Sequence, residues 1–438
     1  MKKETVKKIR ELTPIDTAKR ILYIICVAVQ SLLTVFFALS VKNLVNAVEL
    51  GVSDALDPNS VSPVSIAVIR LIVVVAELCA LGAVCSFLGD NLTVNAEKDL
   101  RNRLFKKVFL SNYQTLNSYG QGDIISRFEG DVSVVSGVRV NLLPAIVSTC
   151  VRLLGTLVAM LYLDYKFTLI VVASAIVFVG ASIFVRKVSA KLHKKERVKN
   201  SKNYNFIQES IALAPVIKAF GHENYLLERA TSKFNEHKIA KLNKRYFTSF
   251  VGVVVNILFT GFYVAVAIYG VYGIKNGNTA MSFGLITAML QLVLQIKAPV
   301  TGISRFFTSH AEMIASGERL LELSSDIETK ETITDFSAIK LEGVSFSYGD
   351  SEVLKNINLM VNKGDKVLIK GASGAGKSTL IKVILNLYSN YGGKVKVLTE
   401  NGEVEGKTQG LFAFVPQDSK VFSTTVKENV ILGEEYRE

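Results

Sequence analysis

The 438-residue sequence contains no tryptophan, and its four cysteines never form a CxxC pair. Cys26, Cys79, Cys85 and Cys150 each fall inside an apolar stretch. That placement implies neither a disulfide framework nor a metal site, and leaves them as small core or lipid-facing residues. The chain also lacks an RNA- or DNA-binding signature and any interleaving of aromatic with basic residues, so no nucleic-acid partner is expected. Its net charge of +13 therefore needs another origin. Lys and Arg flanking membrane helices supply one. A cleavable leader does not fit either. The basic start (Lys2, Lys3, Lys7, Lys8, Arg10) precedes an apolar run too long for a leader, and further runs follow, so the first is read as a retained span.

What the chain does have is clustered apolar sequence. Hydrophobic residues make up 49% of it, high for a soluble protein. Six segments are long enough to cross a bilayer, for which about 20 helical residues suffice: roughly 21–47, 63–89, 141–162, 166–187, 248–273 and 281–304. The third and fourth are joined only by a short turn at Leu163–Lys166. Charge orients them. Residues 1–20 carry seven Lys/Arg and 90–140 another seven, and 186–246 is denser still. The segment 49–62 instead carries Glu49, Asp54 and Asp57 with no Lys or Arg. The bias toward positive charge inside places the N-terminus in the cytoplasm. Six spans return the chain to the cytoplasm before residue 305.

The two long inner segments are amphipathic, as in "AEKDLRNRLFKKVFL" (96–110) and "KLHKKERVKNSKNYNFIQES" (191–210). They are expected to be helices continuing past the membrane. Each breaks near its middle, at 118–123 and 213–224, as a helical hairpin with a short tip would. From about residue 338 the pattern turns strand-like, with turn signals at Gly349-Asp350 and Lys363-Gly364.

Inside that last region, Gly371-Ala372-Ser373-Gly374-Ala375-Gly376-Lys377-Ser378 fits G-x-x-x-x-G-K-[ST] in full. An expected strand (366–370) precedes it and an expected helix (378–388) follows, the context a phosphate loop requires. Glycines let successive backbone N–H groups turn inward around an anion, and the helix N-terminus adds partial positive charge. Lys377 then reaches the β/γ-phosphates and the Ser378 hydroxyl takes Mg²⁺. Tyr348 ends a strand ahead of the loop; it is either a platform for adenine or an ordinary strand aromatic. Gln417, at the end of an apolar strand 40 residues after Lys377, is placed to touch Mg²⁺ or an attacking water, or to do neither.

Together these stretches resemble the ATP-binding cassette (ABC) exporters. "GQGDIISRFEGDV" (120–132) and "FIQESIALAPVIKAFGHENYLLERA" (206–230) are similar to the family's inner segments. "LEGVSFSYGDSEVLKNINL" and "FAFVPQDSKVFSTTVKENVILG" are similar to the start and the Q-loop region of its nucleotide-binding domain. The resemblance implies an all-α six-helix transmembrane domain over 1–320, followed by a partial α/β P-loop domain over 338–438. It makes Tyr348 the adenine-stacking aromatic, Gly371 through Ser378 with Thr379 the Walker A residues, and Gln417 the catalytic Q-loop glutamine. Ser378 and Gln417 would then hold the magnesium of MgATP. It makes the loop tips near 111–119 and 211–222 coupling helices. It implies a half-transporter in the cytoplasmic membrane, paired as a homodimer or heterodimer, exporting a lipid, drug or peptide.

The pattern also departs from the family. No LSGGQ occurs, and none of the histidines (His193, His222, His237, His310) lies beyond residue 338. "NVILGEE" (429–435) superficially resembles a Walker B strand, but Gly433 interrupts it and it comes too early. The chain as written is therefore expected to lack half of the ATPase site and not to hydrolyse ATP at a useful rate. The alternative reading is a truncated membrane protein that only binds nucleotide or pairs with a complete partner. Within the spans, ionisable residues point to function or pairing. Glu77 and Arg152 sit at depths differing by roughly 6 Å and are expected to pair. Asn256, Gln291, Gln295 and Lys297 are candidates to line a substrate path.

Overall fold

The computed structural model describes residues 2–51, 63–111, 113, 116, 119–277, 281–323, 336–349, 351–400, 402–406, 411–415 and 421–431. Long helices come first: α1 Lys2–Leu12, α2 Thr17–Gly51, α3 Pro63–Leu110, α4 Gln121–Ser126, α5 Val132–Leu163, α6 Tyr165–Ala212, α7 Ala214–Phe220, α8 Glu223–Lys275 and α9 Phe283–Glu322. A single π-helical turn, Arg127–Asp131, joins α4 to α5. Then come β1 Ala338–Tyr348, β2 Ser351–Asn362, α10 Lys377–Ile384, β3 Gly392–Thr399, β4 Gly402–Glu405 and α11 Val426–Ile431. The chain forms two compact units. One is Ile15–Ala96 with Gly137–Glu312; the other is Met1–Pro14, Glu97–Ser136 and Met313–Glu438.

The first unit is a helical bundle. Four helices among the described residues are long and apolar enough to cross a membrane: Thr17–Glu49, Pro63–Leu110, Gln121–Leu163 and Glu223–Lys275. A shorter apolar helix, Phe283–Pro299, covers part of the sixth expected segment. The fourth, 166–187, lies in the continuous helix α6, and most of its side chains fall outside the described set. Five helices meet in one core, through Val35 and Ala38 of α2, Ala159 and Met160 of α5, Phe167 and Val171 of α6, Val266 of α8, and Met289, Leu292, Val293 and Ile296 of α9. Close approach at the ends relies on small residues. A Cβ added at Gly284 would run into the Lys42 carbonyl and the Asn46 side chain. Asn46 also accepts a hydrogen bond from Ser282 at 2.9 Å.

The expected turn at 163–166 is a built joint. Asp164 caps α6 by accepting from the Phe167 N–H, and its other carboxylate oxygen accepts from the Tyr269 hydroxyl of α8 at 3.1 Å. Past the apolar stretches, α6 and α8 run on as an antiparallel pair. Lys199 meets Glu236 at 2.5 Å, while Glu196 meets both Lys244 and His237. Burial raises the Glu196 carboxyl, but His237 and Lys244 more than offset this and hold it below its usual range. The expected break at 213–224 is the short helix α7, closed by Gly221 in the left-handed region at φ 65. The expected Glu77–Arg152 pair does not form: Glu77 is exposed, and no ion pair joins the two. Lys297 and Asn256 do meet, at 2.6 Å. Gln295 donates to the Thr34 carbonyl at 2.9 Å.

In the second unit, the buried Arg127 of the π turn donates to Asp123, to Glu322 and to the Arg319 carbonyl, and Arg319 in turn pairs with the buried Asp131. Ile9 of α1 packs against Gly317. The strands form one antiparallel sheet in the order β2-β1-β3-β4. Alternation puts Ile339, Leu341, Val344 and Phe346 of β1 into a core with Leu354, Leu380, Val383, Tyr388 and Val395. A bulge follows Leu341, where Gly343 has φ 61 and its N–H is taken by the Asn358 side chain. Both turn signals hold, with Gly349 at φ 58 and Gly364 at φ 91.

Two expectations need correction here. Residues 366–370 form no strand: Val367 and Leu368 are 52% and 75% exposed, and no neighbour pairs with that backbone among the described residues. A strand exists only where a partner takes its hydrogen bonds, and apolar sequence alone cannot supply one. The helix expected over 378–388 ends at Ile384. Asn386 adopts φ 53 while its N–H bonds the Val383 carbonyl and the Leu387 N–H bonds the Lys382 carbonyl, a Schellman stop.

Candidate nucleotide site

The loop 371–378 follows the sheet's second strand and opens directly into α10. Gly374 and Gly376 sit at φ 85 and φ 86, which only glycine adopts without strain. At Gly376 there is also no room for a side chain: a Cβ would lie 3.0 Å from both Leu354 and Val353 atoms and 3.2 Å from the Val353 carbonyl. That contact presses the loop's exit against β2 and fixes where α10 begins. Gly376 caps α10, its carbonyl accepting from the Leu380 N–H at 2.8 Å. Thr379, Leu380 and Val383 are buried on the sheet core. The helix is thus anchored by its buried face and presents its N-terminus to the exposed loop.

Gly371, Ala372, Ser373, Gly374 and Ala375 are exposed, as is Ser378. Lys377 folds back over the loop, its ammonium donating to the carbonyls of Gly371 at 2.9 Å and Ala372 at 2.8 Å. There it can exchange neutral acceptors for anionic ones, which form the stronger hydrogen bonds. Glycines in the left-handed region, a helix N-terminus and a mobile-chain cation at one mouth form an arrangement suited to a polyphosphate. Among the described residues no group of three or more His, Cys, Asp or Glu gathers to hold a metal on its own. Magnesium arriving with a nucleotide needs only one or two protein ligands, and the exposed Ser378 hydroxyl fits that role.

Tyr348 reaches the same site. Its hydroxyl lies 3.4 Å from the Thr379 hydroxyl and donates to the Tyr388 hydroxyl at 3.2 Å. Its ring stands edge-on to Phe346, with centroids 4.9 Å apart, and remains 46% exposed. The tyrosine is therefore pinned at its tip and open on its flank, as a stacking platform requires. The expected Gln417 lies outside the described residues. The sequence reading missed Tyr388; the only available signal was a tyrosine two residues past an Asn that can stop a helix in the left-handed region.

Two regions of the chain match known protein families. Residues 20–300 match the ABC transporter transmembrane region, and residues 354–438 match the ABC transporter family. A multidrug resistance ABC transporter ATP-binding and permease protein of Lactococcus lactis is 24% identical over 84% of this chain and 62% of its own length. Two uncharacterized ABC transporter ATP-binding proteins of Bacillus subtilis, YfiC and YfiB, are each 25% identical, over 76% and 81% of this chain and 57% and 63% of their own lengths. The chain thus spans 57 to 63% of the length of these relatives.

Proposed function

The chain belongs to the ABC transporters, with a membrane region and a nucleotide-binding region in one polypeptide, and from that premise we propose that it serves ATP-driven export as a half-transporter. The observation that carries this reading is the loop 371–378 with Lys377 over its mouth, on a chain whose long helices are apolar enough to cross a membrane. In this reading the membrane domain covers 1–320 with six spans, and residues 338–438 form part of the nucleotide domain. The N-terminus and the nucleotide domain face the cytoplasm across the plasma membrane.

Each residue then has a task. The backbone N–H groups of Gly371 to Gly376 cup the phosphates, and Lys377 neutralises the β- and γ-phosphates. Ser378 holds Mg²⁺, with Gln417 as its second protein ligand and the residue that addresses the attacking water. Thr379 anchors the first turn of α10, and Tyr348 stacks on adenine. Magnesium supplies charge neutralisation on the transferring phosphate. A second half-transporter, identical or related, completes the assembly. The cargo is an amphipathic small molecule, lipid or peptide entering from the bilayer or the cytoplasm.

The sequence holds no LSGGQ stretch, so binding is the first readout. The chain in lipid nanodiscs should bind MgATP. Lys377→Ala should weaken that binding by tenfold or more (about 1.4 kcal/mol per tenfold), with the thermal transition unchanged. Equal binding by wild type and Lys377→Ala would remove the nucleotide reading. ATP-dependent uptake of an amphipathic dye into inside-out vesicles from the native cell, lost in Lys377→Ala, tests export. Intact nucleotide binding without such uptake would leave a nucleotide-binding membrane protein that is no exporter.

A further inference from the structure

Arg152 lies deep in the apolar helix α5, and no ion pair or hydrogen bond reaches its side chain among the described residues. Its Nε is buried, and Glu77, the acid expected to meet it, is exposed and does not pair with it. A guanidinium does not give up its proton inside a protein, so burial leaves it charged. Three more buried polar atoms have no hydrogen-bond partner in the same bundle. They are the Thr156 hydroxyl, on a residue 0% exposed, and the side-chain oxygens of Gln291 and Gln295. Such groups are uncommon in folded proteins and cost most where hydrocarbon replaces water.

The four atoms come from two helices of one compact unit. Arg152 and Thr156 are one turn apart on α5, and Gln291 and Gln295 one turn apart on α9. Both helices border α2 at this level. Ser148, one turn before Arg152, meets the Ser31 hydroxyl at 2.8 Å, and a Cβ on Gly155 would touch Leu32 and Val35. Gln295 donates to the Thr34 carbonyl at 2.9 Å. The same two helices share a core through Met160 and Met289. At about 1.5 Å per residue, all four polar residues lie roughly 10–18 Å from the helix ends Leu163 and Phe283, near the middle of a hydrocarbon layer about 30 Å thick. The result is a polar belt at one depth, with a fixed positive charge and a hydroxyl on α5 and two carbonyl oxygens on α9.

We propose that this belt is a cargo site for an acidic amphiphile, whose carboxylate or phosphate pairs with Arg152. Thr156 adds a second donor for the acid group. Gln291 and Gln295 accept from N–H or O–H groups beside it, and the apolar remainder of the molecule belongs in the surrounding hydrocarbon. A cationic amphiphile is excluded because the guanidinium repels it in a site of low dielectric. A neutral one leaves the buried charge unmatched, which is the costly condition for an ion away from water. This deepens the export reading by naming the chemistry of the cargo, and it rests on that reading.

The test is equilibrium binding by fluorescence polarisation to the full chain in phosphatidylcholine nanodiscs, with empty discs as background. Three probes share one dansyl-labelled acyl chain and one amide N–H: an N-acyl glycine, its uncharged methyl ester, and the matching N-acyl ethylenediamine. Wild type should prefer the acid to both others by about tenfold or more, the scale of one charged hydrogen bond. Arg152→Gln should remove that preference and leave the ester unchanged, while Arg152→Lys keeps part of it. Gln291→Leu and Gln295→Leu should each weaken acid and ester alike by about threefold, because both probes carry the amide N–H. Equal binding of acid and ester by wild type overturns the proposal. So does a preference for the amine, or an unchanged ranking in Arg152→Gln. The wild-type ranking needs no variant, so it reports even where Arg152→Gln fails to fold. Displacement of the acid probe by phosphatidylglycerol built into the discs assigns the site to an anionic bilayer lipid; without displacement it belongs to a free amphiphilic acid, and either result supports the site. ATP-dependent uptake of a neutral dye with no acid preference would keep the export reading and remove this inference. Acid preference without any uptake would keep the acid site and remove export.

Discussion

The bundle and the four-stranded sheet bury fully enclosed leucines to the same degree, Leu292 at 0% and Leu341 at 2% exposed, yet they present different side chains to their surroundings. In the bundle, carbonyl oxygens of Gln291 and Gln295 and the Thr156 hydroxyl are buried without a hydrogen-bond partner, and so is Arg152 Nε. Large apolar side chains such as Ile69, Ile72, Ile257 and Ile268 point outward. In the sheet, charge is tied down in chains: Lys340 and Lys396 both hold Glu342, and Lys396 also holds Glu403. The outward isoleucines follow from the solvent. A bundle surrounded by hydrocarbon gains little by hiding leucine and a great deal by close backbone contact, whereas a sheet in water gains from every apolar residue it covers.

Truncating the two leucines tests this contrast with the largest effect. In water, Leu341→Ala loses both transfer and cavity energy and should destabilise the sheet unit by about 2–5 kcal/mol. In lipid, Leu292→Ala loses mainly packing, so its cost should be less than half of that. Denaturant unfolding of the sheet unit and SDS-driven unfolding of the bundle, each in the full chain, measure the pair. Equal losses would break the comparison.

A smaller effect is expected at Gln295. Leucine there forfeits the bond to the Thr34 carbonyl but removes a buried oxygen that has no partner. The two terms oppose, and the net change should stay within about 1 kcal/mol. A large loss of bundle stability would mean that this glutamine carries more than its one hydrogen bond.

The smallest effect sharpens the sheet side. Hydrogen bonds from Lys340 and then Lys396 hold the Glu342 carboxyl at about 2, below its usual 4.5. Because the folded value is depressed, the stabilisation is fully present above pH 4.5 and is lost as pH falls toward about 2. Melting of the sheet unit across that window should slope downward with acid. Glu342→Gln should flatten the slope slightly, as fits an exposed pair.

Much of this was legible beforehand because the relevant rules are local. A G-x-x-x-x-G-K-S sequence demands left-handed glycines, and Gly374 and Gly376 adopt them. Alternation along β1 announced its buried face. Apolar runs gave the helices at Thr17–Glu49, Pro63–Leu110 and Glu223–Lys275. Other features escaped because they depend on what lies opposite. Glu77 and Arg152 were expected at depths within side-chain reach, but the two do not pair. Residues 366–370 have a strand's composition without a strand partner among the described residues. Asp164 is one residue in a four-residue turn until the Tyr269 hydroxyl reaches it from 105 positions away.

By itself, then, the sequence determined the family, the order of membrane and nucleotide regions, and the left-handed glycines of the loop 371–378. Each is written in residue type and spacing, which backbone sterics and the bilayer translate directly. Only the tertiary structure decided that Tyr388 accepts from the Tyr348 hydroxyl, that Lys297 meets Asn256, and that Arg127 and Asp131 are buried at a π turn beside Arg319. These contacts join residues tens to hundreds of positions apart. Their partners are chosen by how helices and strands pack, not by the stretch of chain in which each residue sits.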